Sequence, residues 1–300
     1  MNQRDLFSMS TGEGHPDWIA FRDHETRKVA KERLNEIYNE FGKWLPEKDF
    51  LERFPREFPA RAWELCVLGW LAASYTMDKT GPQGPDFLIN VKGQRIWVEC
   101  VIVTEGNGAD AVPKIPSKPN PNPCYSGLSR EAVALRYSNA IVSKQRLIED
   151  YRQKNIVGPD DAVVIAVHCG AIPFVRSAEE GVSGIPLLVQ NLFGLDGVAI
   201  RIADNQIQPK YKENIKKKSN ATVSTRGFLE AEAPVVSAVL FTMHDIVYAL
   251  EQHDQHIWDI VHNPSAKVRL AHNVLTGIRT WYSDDCKVLS RVARSSIDST

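Results

Sequence analysis

Apolar and polar positions along the chain follow two different periods, and the switches between them mark out the elements. Residues 24–54 are charged with intermittent apolar positions (Val29, Leu34, Ile37, Tyr38, Phe41, Trp44, Leu45) at helical spacing, ended by Pro46, which predicts a surface helix packed by one face. ARAWELCVLGWLAASYTM follows, apolar nearly all round, and from residue 62 to 77 its only charge is Glu64. Such a helix must be buried on most sides. FLINV, then KGQ, then RIWVECVIV places β-branched and aromatic residues on both sides of a Gly-containing turn, the pattern of a hairpin. Residues 104–127 are rich in Gly, Pro and Asn and predict a long loop of the kind that often carries function. A second long helix is expected from residue 128 to about 154, stopped by Gly158 and Pro159. DAVVIAVHCG, GVAIRI and VVSAVLFT read as strands. The tail from residue 244 reads as polar helical segments, with HNPSAKVRL as a lid or an edge element.

The order helix, hairpin, helix, strand fits an α/β architecture with helices around a mixed central sheet. There is no internal repeat and no domain boundary, so residues 1–300 are expected to form one domain.

Composition changes this picture little. The chain has 300 residues, 43% hydrophobic and 24% charged, an ordinary globular balance. MNQRDLFSMSTGEGHPDW breaks its apolar stretches with charge, unlike a secretory leader, and no apolar run has the length of a membrane span. A cytoplasmic protein without membrane contact is expected. Five scattered cysteines (Cys66, Cys100, Cys124, Cys169, Cys286) form no CxxC pair and read mainly as buried free thiols. A formal net charge of -1 gives no global pull toward nucleic acid, so an anionic partner needs a local basic surface. PKYKENIKKKSN at 209–220 is the clearest candidate, although a solvated loop explains it as well.

Four charges break the apolar pattern: Glu64, Asp86, Glu99 and Lys144. Burying a charge without a partner costs several kcal/mol, so each needs an explanation. Lys144 interrupts the stripe Tyr137, Ala140, Ile141, Leu147, Ile148, Tyr151 and should point inward, or snorkel along its stem. Three carboxylates and a lysine converging on a sheet suggest a divalent-cation site. Mg²⁺ takes oxygen ligands, commonly one or two carboxylates with waters retained, and Asp86 with Glu99 from adjacent strands meets that need. The main-chain carbonyl of Cys100 can add a third oxygen, and Glu64 can bind directly or through water. The plain alternative is a buried ion network that only holds the layers together.

A helix glutamate (Glu64), then Pro85-Asp86, then a hairpin, then Glu99 in an apolar strand resembles the PD-(D/E)XK nuclease superfamily of restriction and repair enzymes. The resemblance covers roughly residues 60–170 and implies a restriction endonuclease-like core. It also implies Mg²⁺ (or Mn²⁺) held by Asp86 and Glu99, assisted by Glu64. In that superfamily a lysine two residues after the strand acid works with the attacking water, and here that position is Val101. Some members supply the lysine from a neighbouring element, and Lys144 is the candidate. Gln145 beside it, and Arg136 about 12 Å back along the helix axis, are candidate substrate contacts. The resemblance implies phosphodiester hydrolysis in DNA, with RNA as the second substrate and a homodimer allowed. Val101 also fits a chain of the same fold that binds nucleic acid, or assembles with partners, without catalysis.

Other combinations carry less. His253 and His256 share a helical face but lack a third ligand at a recognised interval. His168 reads as a core histidine, and Glu105 and Asp110 as a hydrated turn or as the rim of the metal site. Neither a GxSxG elbow nor a GxxxxGK[ST] loop is present.

Overall fold

An eight-stranded mixed sheet divides the fold into two apolar cores. The computed structural model describes residues 4–8, 14–45, 50–113, 129–172, 175, 184–201, 206–229, 235–252, 257–283 and 289–292. The strands are β1 (Thr76–Asp78), β2 (Phe87–Val91), β3 (Gln94–Ile102), β4 (Ala162–His168), β5 (Leu195–Arg201), β6 (Gln206–Tyr211), β7 (Asn214–Lys216), β8 (Thr222–Ser224), β9 (Ala238–Thr242), β10 (Asp259–His262), β11 (Arg279–Ser283) and β12 (Leu289–Val292). The main sheet runs β1-β2-β3-β4-β9-β10-β11-β12, while β5-β6 and β7-β8 form two small two-stranded sheets. β3, β4 and β9 are mutually parallel at its centre, and β1, β2 and β3 are antiparallel neighbours.

The helices are α1 (Pro16–Asp23), α2 (Lys28–Phe41), α3 (Phe50–Arg53), α4 (Phe58–Ser74), α5 (Arg130–Gln153), α6 (Leu187–Phe193) and α7 (Ile246–Glu251). Strand alternation sends Val98 and Cys100 of β3, with Val164 and Ala166 of β4, into the core shared with α1, α2, α4 and α7. Trp97 of β3, with Val163, Ile165 and Val167 of β4, enters the core shared with α5 and α6. Sitting between the sheet and three other helices, α4 has no wet face to speak of. Trp63 is fully buried, donates Nε1–H to the Ala166 carbonyl at 3.0 Å and stacks on the His168 ring at 5.0 Å.

Several expectations are refined. The hairpin closes on two residues, Lys92 and Gly93, both at positive φ (52° and 84°), and Gln94 already pairs with Val91. This left-handed pair matches the twist of the strands better than a three-residue KGQ turn. The helix expected across 24–54 is shorter, with single 3₁₀ turns at Glu25–Arg27 and Gly42–Trp44 on either side of α2. GVAIRI lies in β5, which pairs with β6 rather than entering the main sheet. The tail differs most, because beyond the short α7 it adds β10, β11 and β12 to the main sheet. These strands contain four or five residues, apolar and polar in mixed order, too short for a period to show. Among the described residues no helix is long and apolar enough to cross a membrane.

Candidate active site

Pairing between β2 and β3 stops at Phe87 opposite Val98, because Pro85-Asp86 turns the chain out of the strand. The next β3 amide on that side, Cys100 N–H, would lack an acceptor, and Asp86 Oδ2 takes it at 2.7 Å. A carboxylate thus replaces the missing rung of the ladder. A strand residue turns its N–H and C=O to the same neighbour, so the Cys100 carbonyl faces the Asp86 side as well.

Glu99 lies one residue back on the opposite face of β3, toward α5, in register with Ile165 of β4. Its side chain is only 5% exposed and accepts Lys144 Nζ at 2.5 Å. A hydrogen bond from the Asp86 backbone N–H reaches the same carboxylate. Asp86 and Glu99 therefore clasp each other across the strand pair, each carboxylate bound to backbone at or beside the other. Burial, then the charge of Asp86, pushes the Glu99 carboxyl up to about 7 against the pull of Lys144. Burial works to lower Lys144, but the charge of Glu99 and the hydrogen bond to it win and hold its pKa above the ordinary value. The raised pKa favours the ammonium form of Lys144, which suits orienting a group or stabilising developing negative charge.

Two neighbours were not singled out by residue pattern. Tyr151 lies two helical turns beyond Lys144 on the same stripe, and burial, then the charges of Glu99 and Asp86, raise its phenol, which stays a donor. The seven-residue spacing from Lys144 was the available signal. Arg61 was hidden in the apolar reading of α4, three residues before Glu64, and pairs with it at 2.8 Å. That spacing is the signal for a helical ion pair.

Glu64 comes to the strand from the other side. It belongs to α4, and its charge, after burial and the charge of Asp86, helps raise the Cys100 thiol well above the ordinary range. Cys100 therefore offers a neutral thiol and no thiolate nucleophile. Arg136 does not join the Glu99–Lys144 pair: its Nε donates to the Thr104 carbonyl at 2.9 Å, and its guanidinium fills the space over Gly106. Gln145 is half-buried beside Lys144 on α5. His168 Nε2 contacts the His244 carbonyl at 3.0 Å beneath Trp63, the place of a core histidine. Asp110 accepts the Lys218 backbone N–H at 2.8 Å, and Cys66, Cys100 and Cys169 are buried free thiols. His253, His256, Cys124 and Cys286 lie outside the described residues.

Among the described residues no three or more His, Cys, Asp or Glu side chains are grouped to hold a metal ion. The oxygens that are present are nevertheless of the kind a hard cation takes: two carboxylates close enough for the charge of one to raise the other. No family model, curated protein or solved structure matches this chain.

Proposed function

We propose that the chain is a Mg²⁺-dependent nuclease with a restriction endonuclease-like core, of the PD-(D/E)XK type, in which the motif lysine has moved to a helix. The observation that carries this reading is the contact of Lys144 with Glu99: a lysine absent from position 101 reaches the strand acid from α5. The order of acid-bearing α4, the β2–β3 hairpin, lysine-bearing α5 and parallel strand β4 supports it.

In this reading Asp86, Glu99 and the Cys100 carbonyl would hold Mg²⁺ (or Mn²⁺), which supplies Lewis-acid polarisation of the phosphate and a lowered pKa for bound water. Glu99 must give up its proton to serve as a ligand, and the Lys144 ammonium favours that loss. Lys144, released in part from the carboxylate, would then face the charge developing on the phosphoryl oxygens. Tyr151, a neutral phenol, adds a donor on the same side. Glu64, balanced by Arg61, acts from the α4 face on the potential at β3.

The test is cleavage of duplex DNA, single-stranded DNA and RNA with Mg²⁺ and with Mn²⁺. Asp86→Ala and Glu99→Ala are each expected to abolish metal-dependent cleavage, and full activity in both would overturn the reading. An unimpaired Lys144→Ala would remove only the relocated lysine. A second reading keeps the fold and drops catalysis: Val101 and an ion pair that already neutralises Glu99 favour a nucleic-acid-binding or assembly protein. Binding without cleavage under either metal would select it.

A further inference from the structure

The hairpin β7–β8 carries Lys216, Lys217 and Lys218, the second half of the basic run 209–220, and two contacts anchor it. Ile215 is buried against Ala134 and Leu135 of α5, with Val223 of β8 packed beside them. The turn is closed by Lys217 N–H to the Ala221 carbonyl at 2.8 Å and by Asn220 in the left-handed region at φ 63°. Beyond it, the Lys218 backbone N–H donates to Asp110 Oδ1, which fixes the turn to the segment that follows β3.

Charges at the base and at the turn are treated differently. Lys210 pairs with Asp196 at 3.4 Å, Lys212 with Glu131, and Arg226 with Glu213 at 2.7 Å. Among the described residues no carboxylate pairs with Lys216, Lys217 or Lys218, and Lys216 and Lys218 are exposed. Three cations are thus held together on a braced support while the neighbouring cations are consumed. The Asp110 carboxylate on the Lys218 backbone offsets part of their mutual repulsion.

Leu135, under the hairpin, precedes Lys144 by nine residues of the same helix, about 13 Å along its axis and about half a turn around it, so the hairpin and Lys144 stand on different faces of α5. We infer that Lys216, Lys217 and Lys218 form a phosphodiester-backbone clamp for a nucleic acid. This goes beyond the nuclease reading, because its binding rests on the hairpin alone. Phosphate contacts position a strand without reading its sequence. The clamp therefore gives affinity and register and no base preference.

The experiment compares the full-length protein with Lys216→Ala/Lys217→Ala/Lys218→Ala and with each single variant. Binding of a fluorescent 20-mer, duplex in one arm and single-stranded in the other, is measured across a salt series. Hydrolysis of bis(p-nitrophenyl) phosphate with Mn²⁺ is measured in parallel. Each lysine is expected to lower the slope of log K against log salt by about one, and the triple variant by two to three, with at least tenfold weaker binding at fixed salt. Small-diester hydrolysis should be unchanged. Unaltered affinity and slope in both arms would overturn the clamp. Loss of binding in the triple variant of a protein that, unmutated, cleaves neither the small diester nor the 20-mers would support the clamp and remove the nuclease reading, so the two fail separately.

Discussion

Lys144 Nζ meets Glu99 Oε1 at 2.5 Å, joining helix α5 to the middle of β3 through a carboxylate nearly out of reach of water. Removing the lysine leaves that carboxylate to protonate or to open its surroundings. Breaking a buried pair typically costs about 3 to 5 kcal/mol, but the Lys144 side chain keeps 24% exposure, so solvent screening reduces this. Lys144→Met is expected to destabilise by about 1 to 3 kcal/mol. Adding Glu99→Gln should recover part of the loss, because no charge is then stranded. Urea unfolding of both variants and the double measures the coupling, and an additive result would mean the pair contributes no net interaction.

In the proposed metal site Glu99 would also set a pH dependence for metal affinity. Proton and cation compete for a carboxyl titrating at about 7, so Mn²⁺ affinity should climb through pH 5 to 7 and level off above. Calorimetric titration should show a flat profile for Glu99→Gln. Without metal the sign reverses. A carboxyl whose folded pKa is raised contributes stability that is complete below its unfolded value and is lost as pH rises through about 7. Relative to Glu99→Gln, the metal-free protein should weaken between about pH 4.5 and 7.

Two histidines act in the opposite sense. Burial lowers His168 to about 4 against the His244 carbonyl and Asp245, and burial with the neighbouring His272 lowers His262 to about 4. From the ordinary value near 6.5 down to 4 the unfolded chain takes up protons that the fold refuses. Stability should therefore fall across that window, by on the order of 3 kcal/mol per histidine. His262→Leu should flatten the acid limb of a melting-temperature profile. An unchanged limb would show that His262 finds a proton acceptor in the folded state.

Glycines at two turns separate backbone strain from crowding. Gly93 (φ 84°) has open space where a Cβ would go, whereas a Cβ at Gly106 (φ 74°) would lie 2.4 Å from the Arg136 guanidinium. Gly93→Ala should cost about 1 to 2 kcal/mol through the left-handed backbone alone. Gly106→Ala should cost about 1 to 3 kcal/mol more, a surplus that Arg136→Ala relieves. Equal costs at the two sites in chemical denaturation would mean that Arg136 swings clear freely.

Much of the fold was legible because its elements carry long, uninterrupted patterns. The apolar surround of α4, the strand run around Glu99 and the stripe of α5 each declare their period over several turns or rungs. Short strands do not, and β10, β11 and β12 were read as helical or lid segments because a few residues cannot distinguish the two periods. Their strand character comes from pairing with β9 and with one another.

The candidate site divides in the same way. Asp86, Glu99 and Lys144 were visible from the sequence because a charge in an apolar run is costly, whatever surrounds it. Which charge meets which was decided by the tertiary structure. Lys144 settles on Glu99, Asp86 takes the Cys100 amide, Glu64 pairs with Arg61 on the far face of β3, and Arg136 is drawn off to Thr104. Periodicity tells a side chain which face of its own element it occupies. It carries no term for the element opposite, and charge pairing, burial and the anchoring of the Lys216–Lys218 hairpin on α5 through Ile215 all depend on that neighbour.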